Sequence, residues 1–324
     1  MNGHTMRYTA VHERLEAGKT VILDGGTGTE LQRRGARMDP GAWCGPASAE
    51  SGDLLEQVHR DYVAAGADVI TANTYASSRL MLEPAGYGDR FAEINQAAVD
   101  AAFRAREASG RDEVLVAGAI SHMAPFVAGS AQHDLSRAPS EAAMREAFTE
   151  MATFLKDSGC DLILLEMMYY PERMPAAFEA ALATGLPVWA GFSARRGAAG
   201  PLSPTGPVDS TGTLLSFAPD RDIPFAELIT ILDDYDVAAA GIMHTPSHLV
   251  AEALAILKET YDGPLLAYPD SGYFRMPQWQ FEAIIPPDEF QRYASQWAAD
   301  GAQIIGGCCG LSPEHIQALR PLRS

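Results

Sequence analysis

The residues best equipped for chemistry gather near the end of the chain, in Gly306-Gly307-Cys308-Cys309-Gly310. Two adjacent cysteines are poorly placed to bond to each other, because the ring would be small and strained. They are well placed to offer two thiolates to one soft metal ion, and zinc is the common choice. The other reading is two buried cysteines packing as small apolar side chains. The apolar run Ala302 to Ile305 reads as a buried strand that delivers the pair, and the glycines allow a sharp turn and a close approach. A third ligand is available at His244, in Gly241-Ile242-Met243-His244-Thr245-Pro246. Two cysteines and one histidine with an open position form a catalytic zinc arrangement, although a lone histidine at a strand end also serves as a structural hydrogen bonder. His122 is the reserve candidate, and His248 is expected to start a helix and point elsewhere.

Two carboxylates, Asp24 and Glu166, each follow a buried apolar run and need a partner there. Amides of nearby loops would serve, and so would the ammonium group of a substrate. Thr27 and Asn73 follow the first and second runs and complete the candidate substrate-binding set with Asp24 and Glu166. The glycine-rich stretch Gly25 to Glu30 lacks the third glycine of a dinucleotide fingerprint and the Gly-Lys-Ser/Thr of a phosphate loop, so nucleotide binding is rejected.

Eight apolar runs position these residues: Val21–Leu23, Asp68–Ile70, Val114–Ala117, Asp161–Leu165, Pro187–Ala190, Val237–Ala240, Pro264–Ala267 and Ala302–Ile305. They are continuous rather than alternating, as parallel strands buried on both faces are. Between them lie helical spacings, such as Leu54, Leu55, Val58, Tyr62 and Val63, or Met144, Phe148, Met151 and Leu155. Ser247 is expected to cap one helix, and Pro313 suits the first turn of another. Eight strand–helix units make the expected fold a single-domain α/β chain, a (β/α)8 TIM barrel spanning 1–324. Residues 1–20 are expected to cap the bottom. Residues 196–223 and 270–287 follow the fifth and seventh strands and are expected to be long loops over the mouth, where barrel active sites are built.

The formal net charge of −18 argues against nucleic acid and is compatible with a cationic small ligand. Apolar residues make up 47% of the chain, enough for a large core, yet no run reaches membrane-spanning length. The first residues lack the apolar centre of a signal peptide, and four cysteines, two adjacent, are no disulfide framework. A cytoplasmic location is the expectation, with homo-oligomerisation left open.

The chain resembles the homocysteine S-methyltransferase family over roughly residues 15–320. The resemblance rests on Asp24-Gly25-Gly26-Thr27-Gly28-Thr29-Glu30-Leu31, Val58-His59 through Asp68, Ile70 to Tyr75, and Asp161 to Glu166. It continues in Tyr268-Pro269-Asp270-Ser271-Gly272 and Gly306 to Gly310. It implies a barrel in which zinc holds the acceptor thiol as a thiolate, with Asp24 and Glu166 holding the amino acid part of homocysteine. One departure stands out. The family's strand-six pattern is Gly-hydrophobic-Asn-Cys, and that cysteine is a zinc ligand; here Met243 and His244 take the last two places. The expected metal ligands are therefore His244, Cys308 and Cys309. The chain ends soon after the cysteine pair, which leads to the expectation of a small sulfonium or quaternary ammonium donor such as S-methylmethionine or a betaine. The expected activity is zinc-dependent methyl transfer to a thiol such as homocysteine, giving methionine. The alternatives are another substrate at a His-Cys-Cys metal site, or metal and ligand binding without turnover.

Overall fold

The computed structural model describes residues 3–130, 134–197 and 212–323. Its strands are β1 (Val21–Ile22), β2 (Val69–Ala72), β3 (Leu115–Ser121), β4 (Leu162–Met168), β5 (Val188–Phe192) and β6 (Ala194–Arg195). They continue as β7 (Leu215–Ser216), β8 (Ala239–Pro246), β9 (Leu265–Asp270), β10 (Tyr273–Arg275), β11 (Gln278–Gln280) and β12 (Ala302–Ile305). Eight of them, one from each apolar run, form a parallel sheet in the order β1-β12-β9-β8-β5-β4-β3-β2. A parallel bridge between Leu23 and Val69 joins the two ends of that order and closes a (β/α)8 barrel.

Successive strand residues face two different cores. Leu23, Leu115, Leu164, Trp189 and Leu266 pack with the cluster inside the barrel. Ile22, Ile70, Val116, Ile163, Ile242 and Ile305 pack outward with the surrounding helices, including Gly52–Ala65, Phe91–Ser109 and Glu141–Asp157. Both faces are therefore dry, which is why the strands read as unbroken apolar runs.

Helix α1 (Gly3–Glu16) is tied to the N-terminal ends of the strands. Arg7 pairs with Asp161 at 3.1 Å and Arg14 with Asp68 at 3.1 Å. The Trp189 indole N–H donates to the Tyr8 hydroxyl at 3.1 Å.

The sequence reading and the structure differ at Ser247. It is the first residue of the helix Ser247–Leu257, with Pro246 in the capping position. Strand β8 runs directly into Pro246, so no turn is left in which Ser247 could cap. Pro313 does open a helix, Pro313–Ala318.

The loop after the seventh barrel strand contains a hairpin. Within residues 270–287, β10 and β11 pair antiparallel. Helix α2 (Thr27–Arg33) holds this hairpin from the side. The Gln32 side-chain amide donates to the Trp279 carbonyl at 2.9 Å and accepts from the Trp279 N–H at 2.8 Å. Of the stretch 196–223, residues 198–211 lie outside the described residues. In the remainder, β7 returns to pair with β6.

Candidate metal centre and substrate pocket

All seven candidate site residues line one cavity of about 760 Å³ at the C-terminal end of the barrel: Asp24, Thr27, Asn73, Glu166, His244, Cys308 and Cys309. Each comes from the end of a strand or the turn after it, the place where barrels collect reactive groups.

The cysteine pair is framed by backbone bonds. The Cys308 N–H donates to the Pro269 carbonyl at 2.7 Å, and the Cys309 carbonyl accepts from the Ser271 N–H at 2.9 Å. Gly310 follows at φ +81°, and a Cβ there would lie 1.9 Å from the Ser271 carbonyl oxygen. Only glycine satisfies both conditions. Gly26 lets the first strand's loop approach from the other side, since a Cβ there would meet the Cys308 carbonyl at 2.7 Å.

His244 has φ +42°, and Met167, directly after Glu166, has φ +55°. Left-handed backbone at non-glycine residues is costly and is concentrated at functional sites. The register of β8 against β9 shifts after Met243, and that of β4 against β5 after Leu165. The two irregular places touch, because the Met167 N–H donates to the Met243 Sδ at 2.8 Å.

Cys308 Sγ lies 3.8 Å from Cys309 Sγ and 3.6 Å from His244 Nδ1. With Zn–S of about 2.3 Å and Zn–N of about 2.0–2.1 Å, tetrahedral geometry requires edges of about 3.8 Å for S···S and about 3.6 Å for N···S. The three donor atoms all lie within 4.8 Å of one another. Donor type and spacing therefore fit a zinc ion with one position left for a further ligand. The imidazole packs T-shaped against two aromatic rings, with centroids 5.2 Å from Phe217 and 5.6 Å from Trp279. Burial pushes the His244 pKa down, but Asp270 and Cys308 outweigh that and raise it to about 9. A metal ion entering this site must displace that proton.

The carboxylates sit deeper. Asp24 accepts from the Thr71 N–H at 2.7 Å and the Thr71 hydroxyl at 2.9 Å. Burial still lifts its pKa to about 7. Burial, with Asp24 nearby, lifts Glu166 to about 8, while His244 pulls it the other way. The Thr27 hydroxyl is buried without a hydrogen-bond partner among the described residues. Asn73 differs. Its side-chain N–H groups donate to the Cys44 carbonyl and the Ser48 hydroxyl, both at 2.9 Å, so that end of the amide holds the wall rather than facing a ligand.

Two histidines resolve differently from their sequence reading. His248, expected to point elsewhere, lines the cavity from the exposed side of its helix. His122 is buried against Tyr169, with ring centroids 4.5 Å apart, and is not in the cluster that His244 forms with the cysteines. Sequence reasoning did not single out Thr71, which holds Asp24, or Gln32, which holds the hairpin. It also gave no role to Asp270, whose Oδ2 lies 3.8 Å from His244 Nε2. A threonine two residues beyond the start of a neighbouring strand was the available signal for the first, and a place at the end of the seventh barrel strand for Asp270; Gln32 carried none.

Comparison with known proteins gives the family and the fold. The homocysteine S-methyltransferase family model matches residues 21–322. Homocysteine S-methyltransferase 3 of Zea mays is 26% identical over 94% of this chain and 90% of its own. Betaine–homocysteine S-methyltransferase 1 of Danio rerio is 29% identical over 95% of this chain and 74% of its own. The fold is shared with the metallated form of the homocysteine methyltransferase MmuM from Escherichia coli, with a TM-score of 0.69 at 24% identity, covering 95% of this chain and 97% of that one. The chain belongs to the homocysteine S-methyltransferase family and is a methyltransferase.

Proposed function

We propose that this enzyme moves a methyl group from a small sulfonium or quaternary ammonium donor to homocysteine or a closely related thiol, with zinc held by His244, Cys308 and Cys309. The observation that carries the reading is the agreement of the 3.8 Å and 3.6 Å donor spacings with a tetrahedral zinc site. Bound there, zinc would lower the pKa of the acceptor thiol and hold it as a thiolate.

The chain's own residues do the rest. Glu166, half-buried, and Asp24, buried, have no lysine or arginine partner among the described residues and offer their charge to the acceptor's ammonium group. That cation would draw both back to their ionised forms. The unpartnered Thr27 hydroxyl offers a hydrogen bond to the same amino acid part. Trp43, Tyr75 and Phe274 line the cavity, and their ring faces suit a cationic donor. The acceptor sulfur attacks the methyl carbon, the methyl–donor bond breaks, and its electron pair stays on the donor atom, which becomes neutral. The cavity walls hold the two reactants in line.

The test has two parts. Protein purified under reducing conditions is expected to hold about one zinc per chain, and Cys308→Ser to lose it, as read by elemental analysis. Methyl transfer is then measured from S-methylmethionine and from glycine betaine to homocysteine. Zinc retained by a Cys308→Ser, Cys309→Ser double variant, or no transfer from either donor to homocysteine or related thiols, overturns the reading.

A further inference from the structure

We propose that Asp270 is a positioning residue for the metal centre: its carboxylate orients the His244 ring from behind and restores the negative charge that histidine in place of a cysteine takes away. This rests on His244 being a ligand, as proposed above.

The geometry is directional. His244 Nδ1 faces Cys308 Sγ at 3.6 Å, while Nε2, on the far side of the ring, faces Asp270 Oδ2 at 3.8 Å. One nitrogen thus looks toward the metal position and the other toward a carboxylate. A histidine that binds metal through one nitrogen commonly presents its other N–H to a carboxylate, which fixes the tautomer and makes the ring a better donor. The 3.8 Å separation is longer than a hydrogen bond and within ion-pair range, so the effect is electrostatic as well as orienting.

Asp270 is also fixed relative to the cysteines. Its two chain neighbours are bonded to them, Pro269 through the Cys308 N–H and Ser271 through the Cys309 carbonyl. The strand that carries His244 pairs with the strand that ends at Asp270, with Pro246 opposite Asp270. Metal position, imidazole and carboxylate therefore move as one body. Asp270 Oδ1 is buried without a hydrogen-bond partner among the described residues, so no competing structural bond of that oxygen accounts for the placement.

Charge explains what the arrangement gains. Zinc with three thiolates carries one net negative charge, and zinc with two thiolates and a neutral imidazole carries none. Adding the Asp270 carboxylate returns the centre to one negative charge. A more negative surround keeps a bound sulfur electron-rich and so nucleophilic.

The test is a double-mutant cycle read by zinc affinity, through competition with a chromophoric chelator, and by cobalt(II) absorption. Asp270→Ala is expected to weaken zinc binding by about 10–100-fold in the wild-type background, and Asp270→Asn by less, since its side-chain carbonyl dipole still faces the ring. In the His244→Cys background, Asp270→Ala is expected to change affinity by less than about threefold, because no imidazole remains to orient. Cobalt bands should shift with Asp270→Ala only when His244 is present. Equal losses in both backgrounds would make Asp270 a direct ligand or a packing residue, and an Asp270→Ala affinity equal to wild type would leave it no part; either overturns the proposal. His244→Ala is the separate control, and undiminished zinc affinity there overturns the ligand assignment itself. Circular dichroism of each variant confirms folding before the comparison.

Discussion

At the N-terminal end of the barrel, Asp68 and Asp161 are buried; at the C-terminal end, Asp24 is buried just as deeply and Glu166 lines the mouth. The surroundings differ. Asp68 pairs with Arg14, Arg111 and Arg323, and Asp161 with Arg7 and Arg106. Asp24 has only the neutral donors of Thr71, and Glu166 has no hydrogen bond among the described residues. The mouth's own arginines, Arg195 and Arg196, are taken by Asp222 and Glu252. One end supplies buried carboxylates with cations from the chain. The other gives them no lysine or arginine among the described residues, which suits the proposed binding of a substrate ammonium group. That is the division expected of a barrel whose bottom maintains the fold and whose top performs chemistry.

The largest expected effect lies at the bottom. Asp161→Ala should strand Arg7 and Arg106, and should also orphan the Val116 N–H, which the carboxylate accepts at 2.9 Å. Removing one partner of a buried ion pair costs about 3–5 kcal/mol. Denaturant unfolding should show that loss, while zinc affinity and acceptor KM of the folded fraction stay near wild type. A cost below about 1 kcal/mol, the worth of an exposed pair, would break the comparison at its stronger side.

The same kind of change at the mouth should act in the opposite direction. Glu166→Gln should weaken acceptor binding by about 1.5–3 kcal/mol, through loss of a charge-assisted hydrogen bond to its ammonium group. Yet the metal-free protein should become more stable at pH 8–9. The sign follows from the raised pKa. Between the ordinary carboxyl value of 4.5 and about 8, folded Glu166 keeps a proton that the unfolded chain has lost. Stability therefore falls as pH rises through that window. Asp24, raised from 3.8 to about 7, adds a loss of the same sign. Glutamine has no charge to bury, so a pH series of melting curves should be flatter for Glu166→Gln than for wild type. A variant less stable than wild type at pH 9, with unchanged acceptor KM, would assign Glu166 to the scaffold.

Most of the scaffold was legible in the sequence and most of the pairing was not. Strands dry on both faces leave unbroken apolar runs, so each barrel strand could be found from its own run, as with those that begin at Val21, Asp68 and Val114. The groups at their ends, from Asp24 to Cys309, followed from the same count. Partners were hidden because closing a barrel brings remote segments together. Arg7 reaches Asp161 across 154 positions, and Arg323 reaches Asp68 across 255. The His244–Asp270 approach depends on a register shift after Met243, which no periodicity signals. The hairpin of β10 and β11 was missed because three-residue strands are too short to show alternation, and their aromatics read equally well as loop.

That hairpin gives the smallest expected effect and sharpens the contrast, because it is held by neutral bonds where the bottom is held by charge. Gln32 makes two hydrogen bonds with the Trp279 backbone, and the Trp279 indole N–H donates to the Ser271 carbonyl at 3.0 Å. This keeps the Trp279 ring T-shaped to the His244 ring, with centroids 5.6 Å apart. Arg33 adds a stacking contact on Phe281, 4.6 Å from the ring centroid. Gln32→Ala leaves that stacking and the indole bond in place, so the hairpin should loosen rather than detach. The expected cost is about 1 kcal/mol of stability, the net worth of ordinary neutral hydrogen bonds. Hydrogen exchange should speed up at the Trp279 amide while the barrel strands stay protected. Zinc affinity should fall by less than about tenfold, since a freer indole constrains the imidazole less but removes no ligand. The fall should be insensitive to salt, because no ion pair is broken. If Gln32→Ala instead cost as much as Asp161→Ala, the hairpin would be part of the frame, and the mouth would be no softer than the bottom.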